Sequence, residues 1–112
     1  MSSSRAPMTG TQPTSKRDVA AATEYLATAP HAPGMVEIYN DDGDQYVVDL
    51  EGGACSCKDW QYRSEMLGDD GCKHLRRAMM ERGERALPPI PMSRIDPLLL
   101  RARDELEVTP DV

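Results

Sequence analysis

The apolar positions change their spacing several times along the chain, and each change marks an element. From Ser15, Val19, Ala22, Tyr25 and Leu26 fall on one face at helical spacing. Ser15 is a suitable N-cap, and Asp18 favours a helix N-terminus. This predicts a short, Ala-rich helix that persists only if it docks on something. It should end before "APHAPG", Ala29–Gly34, which reads as a breaker. The runs "MVEIYN" and "QYVVDLE" then alternate: Val36 and Ile38 share a face in the first, and Tyr46, Val48 and Leu50 in the second. "DDGD" between them supplies turn chemistry, so the pair reads as a β-hairpin.

Past Gly52 and Gly53, Lys58–Leu67 reads as a short helix carrying Trp60 and either Met66 or Leu67. Gly68–Gly71 is a loop. Cys72–Arg82 is a second helix, with Leu75, Ala78 and Met79 at helical spacing and Gly83 as its stop. "LPPIP" is a rigid extended linker. Asp96-Pro97 opens a last helix, with an apolar stripe of Leu98, Leu99, Ala102 and Leu106, ending near Val108. Met1–Thr14 has no period and is rich in Ser, Thr and Pro, as expected of a disordered tail. No internal repeat is visible.

The fold class is therefore α+β: a small metal-stabilised module with a β-hairpin followed by short helices, plus flanking N- and C-terminal helices. The expected organisation is a tail (1–14), a flanking helix and linker (15–34), the module (35–84), and a Pro-rich linker with the C-terminal helix (85–112).

Composition explains why the module needs support. The chain has 112 residues, 39% of them hydrophobic, with no Phe, one Trp and four Tyr. That is thin material for a core, and small domains of this kind often rely on a metal. Net charge is -6, with three Lys against ten Arg and 11 Asp against 8 Glu. An acidic, Lys-poor surface suits a high-salt cytoplasm. No stretch approaches the roughly 20 apolar residues of a membrane span, and Met1–Ala32 shows no apolar run after a basic start. The expectation is a cytoplasmic protein whose thiols stay reduced.

All three cysteines and one of the two histidines lie within "CSCKDWQYRSEMLGDDGCKH", Cys55–His74. An odd cysteine count argues against a closed disulfide framework. Cys55, Cys57, Cys72 and His74 offer three sulfurs and one nitrogen, a donor set zinc prefers. Residues i and i+2 of a strand point to one side, so Cys55 and Cys57 can present both sulfurs together. Cys72 and His74 can do the same at a helix entry. With four protein ligands the ion, Zn2+, is structural, because a catalytic zinc keeps a position open for water. The alternative is a redox pair, but C-x-C lacks the C-x-x-C spacing of thioredoxin-like sites. Lys58, Lys73, Arg76 and Arg77 offset the site's formal charge of minus one. His31 reads as a bystander.

These residues resemble a known family. The strand Tyr46–Leu50, then Cys55-Ser56-Cys57, the aromatic Trp60, and Cys72-Lys73-His74 opening a helix resemble the SWIM zinc finger over about Met35–Arg82. The resemblance implies a compact ββα-type module with one zinc on those four residues, and binding to DNA or to other proteins. With the composition, it implies a small stand-alone SWIM protein of a haloarchaeon or one of its viruses.

No nucleotide-binding Gly-rich loop, open metal position or zinc-deaminase signature is present, so catalysis and a small-molecule substrate are not expected. Two partner classes remain. Lys58–Arg85 carries a balance of plus one against minus seven elsewhere. Lys73, Arg76 and Arg77 lie close enough on one helix to address a phosphate backbone. On that reading, replacing both arginines with Ala weakens nucleic-acid binding and leaves folding intact. The other class is a protein groove receiving the C-terminal helix through Leu98, Leu99, Leu100 and Leu106, unless that helix packs back on the module. Tyr46 and Trp60 read as core, and Tyr62 as an exposed contact.

Overall fold

A computed structural model of the protein describes residues 15–107. The order is α1 (Lys16–Thr23), β1 (Leu26–Ala32), β2 (Met35–Asn40), β3 (Gln45–Asp49), β4 (Ala54–Cys55), α2 (Lys58–Leu67), α3 (Lys73–Glu81) and α4 (Pro97–Glu107). The fold is α+β. Its four strands form one antiparallel sheet in the order β1-β2-β3-β4. The expected disordered tail and the end of the last helix near Val108 lie outside the described residues.

The hairpin forms as its alternation requires. Val36 lies opposite Val48, and Ile38 opposite Tyr46. The Asn40 side-chain oxygen accepts the Asp42 and Asp44 N–H groups across the turn, and Gly43 takes a φ of 89° there.

β1 corrects the sequence reading. Ala29–Gly34 is not a breaker that closes a helix, and Leu26 is not on the helix face. α1 stops at Thr23, and Leu26–Ala32 pairs with β2. The Leu26 N–H and C=O turn away from β2, to Asp96 and Arg77. Pro30, four residues on, has the same outward orientation, where a missing N–H removes no ladder bond. The turn at Gly34, φ 76°, closes the hairpin.

Two apolar clusters lie on different faces of α3. Leu26, Ile38 and Val48 of the sheet meet Leu67, Leu75 and Ala78, with the three cysteines among them. Ala21 and Ala22 of α1 meet Met80, Ile95 and Leu99. The C-terminal helix therefore packs back on the molecule: Leu99 is fully buried, and the Asp96 N–H donates to the Ala22 carbonyl at 2.9 Å. Ion pairs tie α1 down further, from Arg17 to Asp59 of α2 and from Asp18 to Arg76 and Arg85. No helix among the described residues is long and apolar enough to cross a membrane.

Candidate metal centre

Each ligand-type residue sits at the end of an element, where local geometry leaves its side chain free to turn inward. Cys55 ends β4, opposite Val48. Cys57 is the N-cap of α2, and its Sγ accepts the Trp60 N–H at 3.4 Å. Between them, Ser56 holds the C-x-C turn against β3. Its N–H donates to the Val47 carbonyl at 3.0 Å, and its Oγ accepts the Val47 N–H at 2.9 Å. Cys72 is the N-cap of α3, and His74 lies in that helix's first turn. Gly71, φ 78°, makes the entry, with Leu75 packed so close that a Cβ there would meet its Cδ1 at 2.6 Å.

The four residues converge. One ligand atom from each of Cys55, Cys57, Cys72 and His74 lies within 4.8 Å of the others, and all four residues are buried. Metal–sulfur bonds of about 2.3 Å and metal–nitrogen bonds of about 2.0–2.1 Å give a tetrahedron with sulfur–nitrogen edges of about 3.6 Å. The His74 Nδ1 is 3.8 Å from the Cys55 Sγ and 3.9 Å from the Cys72 Sγ. On those two edges the arrangement lies within about 0.3 Å of a tetrahedral, thiophilic site.

The three thiols hydrogen-bond to one another. The Cys57 thiol is pulled down by the hydrogen bonds it accepts from Cys55 and Cys72. The Cys55 thiol is pushed up by donating to Cys57, then by its contact with Cys72 and by burial. Three thiolates cannot share this space without a cation.

Aromatic side chains orient the shell. The Tyr46 ring stacks on the His74 imidazole, centroids 4.3 Å apart and planes inclined by 26°. Trp60 packs partly buried against the cluster, and its indole N–H donates to the Gly53 carbonyl at 3.1 Å. Ser56 and the Tyr46–His74 stack were not anticipated from the sequence. Ser56 offers only a hydroxyl between two cysteines, and Tyr46 read simply as core. The only sequence signal for the stack was Tyr46's place on the hairpin's apolar face.

The arginines are placed differently from expectation. Arg77 is fully buried and Arg76 nearly so, and neither presents a cation to a phosphate backbone. The Arg76 Nε donates to the Gly71 carbonyl and its Nη1 to the Ser15 Oγ. Every N–H of the Arg77 guanidinium is satisfied. Nε meets Glu81, Nη1 meets the Ala21 and Glu24 carbonyls, and Nη2 meets the Leu26 carbonyl and Asp96. Lys73 remains at the surface, paired with Glu24 at 2.7 Å. The double-Ala expectation of intact folding is therefore corrected: helical spacing put these residues on one helix, but the face they share points into the protein. His31 is exposed and pairs with Glu37.

Residues 38–83 match the family model of the SWIM zinc finger, and the four converging donors lie within that segment. Comparison with curated proteins and with solved structures gives no match.

Proposed function

We propose that the protein is a non-catalytic interaction module in which Cys55, Cys57, Cys72 and His74 hold one structural Zn2+, and that its partner is another protein. The observation that carries the metal reading is the convergence of four buried donors within 4.8 Å. Four protein ligands leave no position for an activated water, so the ion's role is to hold β4, α2 and α3 together. Because the ligands are scattered in the unfolded chain, zinc binding and folding of the module are one event.

The burial of Arg76 and Arg77 favours a protein over DNA. It removes two of the three cations on which nucleic-acid binding rested, in a chain of net charge -6. On the outer face, Tyr62 and Met66 of α2 are 78% and 74% exposed, the kind of side chains that anchor protein contacts. The acid-rich composition fits a salt-rich cytoplasm.

Metal analysis of the purified chain tests the first part, with one zinc per chain expected and none in Cys57→Ser. Fluorescence anisotropy with labelled single- and double-stranded DNA, from low to molar KCl, tests the second. Tight binding that weakens with salt would overturn the protein reading.

A further inference from the structure

Strand β3 bears on both halves of the metal centre. Its Val47 backbone holds the C-x-C turn through Ser56, and its Val48 lies opposite Cys55. Tyr46, two residues before Val48, shares that face of the strand and packs partly buried against the same apolar cluster. Its ring reaches a different element, stacking on the His74 imidazole in the first turn of α3 with centroids 4.3 Å apart and planes inclined by 26°.

The position of α3 does not by itself aim that imidazole. The last torsion of a histidine is broad and roughly two-fold. A ligating nitrogen's lone pair lies in the ring plane, so a tilt of the plane carries it off the metal. Metal-bound histidines are ordinarily held by a hydrogen bond from the second nitrogen to a carbonyl or carboxylate. Among the described residues, the polar contacts of the His74 ring are with cysteine sulfur: Nδ1 lies 3.8 Å from the Cys55 Sγ and 3.9 Å from the Cys72 Sγ, and Cys57 also meets the ring. The Tyr46 face therefore supplies the constraint that a hydrogen bond supplies elsewhere. Nε2 lies farther from Cβ than Nδ1 does, so ligation through Nε2 would slide the ring across Tyr46 and reduce their overlap. An imidazole bound to a dication also becomes electron-poor, and the negative face of an aromatic ring attracts it. The stack is thus stronger with the metal bound than without it.

We propose that Tyr46 is a positioning residue of the metal centre: by stacking on His74 it holds the imidazole plane so that Nδ1 takes the zinc, and it raises the affinity of the site. The proposal rests on the zinc reading above and adds to it a residue outside the ligand set.

The test uses the full, 15N-labelled chain loaded with zinc. Long-range 1H–15N correlation of the imidazole identifies the nitrogen that bears the metal, and competition with a chromophoric chelator gives the affinity. The wild type should show zinc on Nδ1 in one set of signals. Tyr46→Leu should lose about tenfold in affinity and show a second or broadened imidazole set, whereas Tyr46→Phe, which keeps the ring, should match the wild type in both. Ile38→Val trims the fully buried residue opposite Tyr46. It should lower the melting temperature and leave the imidazole pattern unchanged. Should Tyr46→Leu fail to fold, Tyr46→Met, flexible and without a ring, takes its place. Zinc on Nε2 in the wild type, an unchanged imidazole pattern in the ringless variant, equal damage from Tyr46→Phe, or the same change of pattern in Ile38→Val would each overturn the proposal. Absence of zinc from the wild-type chain would overturn the metal reading itself, and it is seen beforehand in the metal analysis.

Discussion

Arg77 on α3 and Asp96 at the entry to α4 form an ion pair in which the arginine side chain is fully buried and the aspartate side chain is 5% exposed. Three residues after His74, this guanidinium also holds the Ala21, Glu24 and Leu26 carbonyls. It therefore joins the helix that carries His74 to α1, β1 and α4 at a single point. Asp96 works in both directions, accepting the Leu26 N–H on one oxygen and capping α4 through the Leu98 N–H on the other.

Breaking this joint leaves an unpaired charge and orphaned carbonyls inside the protein. Arg77→Ala and Asp96→Ala should each destabilise the zinc-loaded chain by about 3–5 kcal/mol. Arg77→Lys should recover only part of that, since an ammonium has three donors where the site has five acceptors. Denaturant melts followed by Trp60 fluorescence report the loss. A variant within experimental error of wild type would show that the pair contributes little.

The same joint sets the size of the folding unit. β1 pairs with β2, and the second apolar cluster draws on α1, α3 and α4. A fragment covering only residues 35–84 should bind zinc more weakly than residues 15–107 and unfold without a sharp transition. Isothermal titration with zinc compares the two directly. Equal affinities would mean that the finger stands alone.

Cys57→Ser should abolish zinc binding and cooperative unfolding together, because it removes a thiolate ligand while the serine hydroxyl can still accept the Trp60 N–H that Cys57 now caps. In the wild-type chain a strong chelator should have the same effect, read as a collapse of the thermal transition.

Tyr62→Ser with Met66→Ser should change stability by no more than about 0.5 kcal/mol, since both side chains lie in solvent. Leu99→Ser should instead cost several kcal/mol, on the order of a large-to-small core change, because Leu99 is fully buried. Thermal melts of the two variants side by side make the comparison, and the reverse ranking would mean that α4 is the docking element.

Asp59 supplies a pH dependence. Its carboxyl is held below the ordinary range by the hydrogen bond from Arg17, against some burial, and then by Arg63. A folded-state pKa below the unfolded one contributes stability that is present above about pH 4 and is lost as pH falls through the folded value. The pair is partly exposed, so the effect should stay under about 1 kcal/mol. Asp59→Asn should remove that part of the acid slope, which is best measured in high salt and low salt to isolate the charge contribution.

The elements closest to the ligands were legible from local pattern. Strand alternation in Met35–Asn40 and Gln45–Asp49, the helix Lys58–Leu67 and the helix entry at Cys72 all depend on neighbours within a few residues. The four ligand-type residues were legible because donor type and spacing carry the chemistry. β1 was not, because Ala, Thr and Pro have no strand pattern of their own, and the strand exists through pairing with β2. The direction in which Arg76 and Arg77 face was not legible either. A charged pair on a helix reads as solvated unless something buries it; here the carbonyls of α1 and β1 and the carboxylate of Asp96 bury Arg77 from up to 56 residues away, and Ser15 meets Arg76 from 61 residues away. By itself, then, the sequence determined the local elements and the metal-type cluster, whose causes are short-range. Only the tertiary structure decided which helix face is interior, because that follows from backbone groups that only the assembled fold brings together.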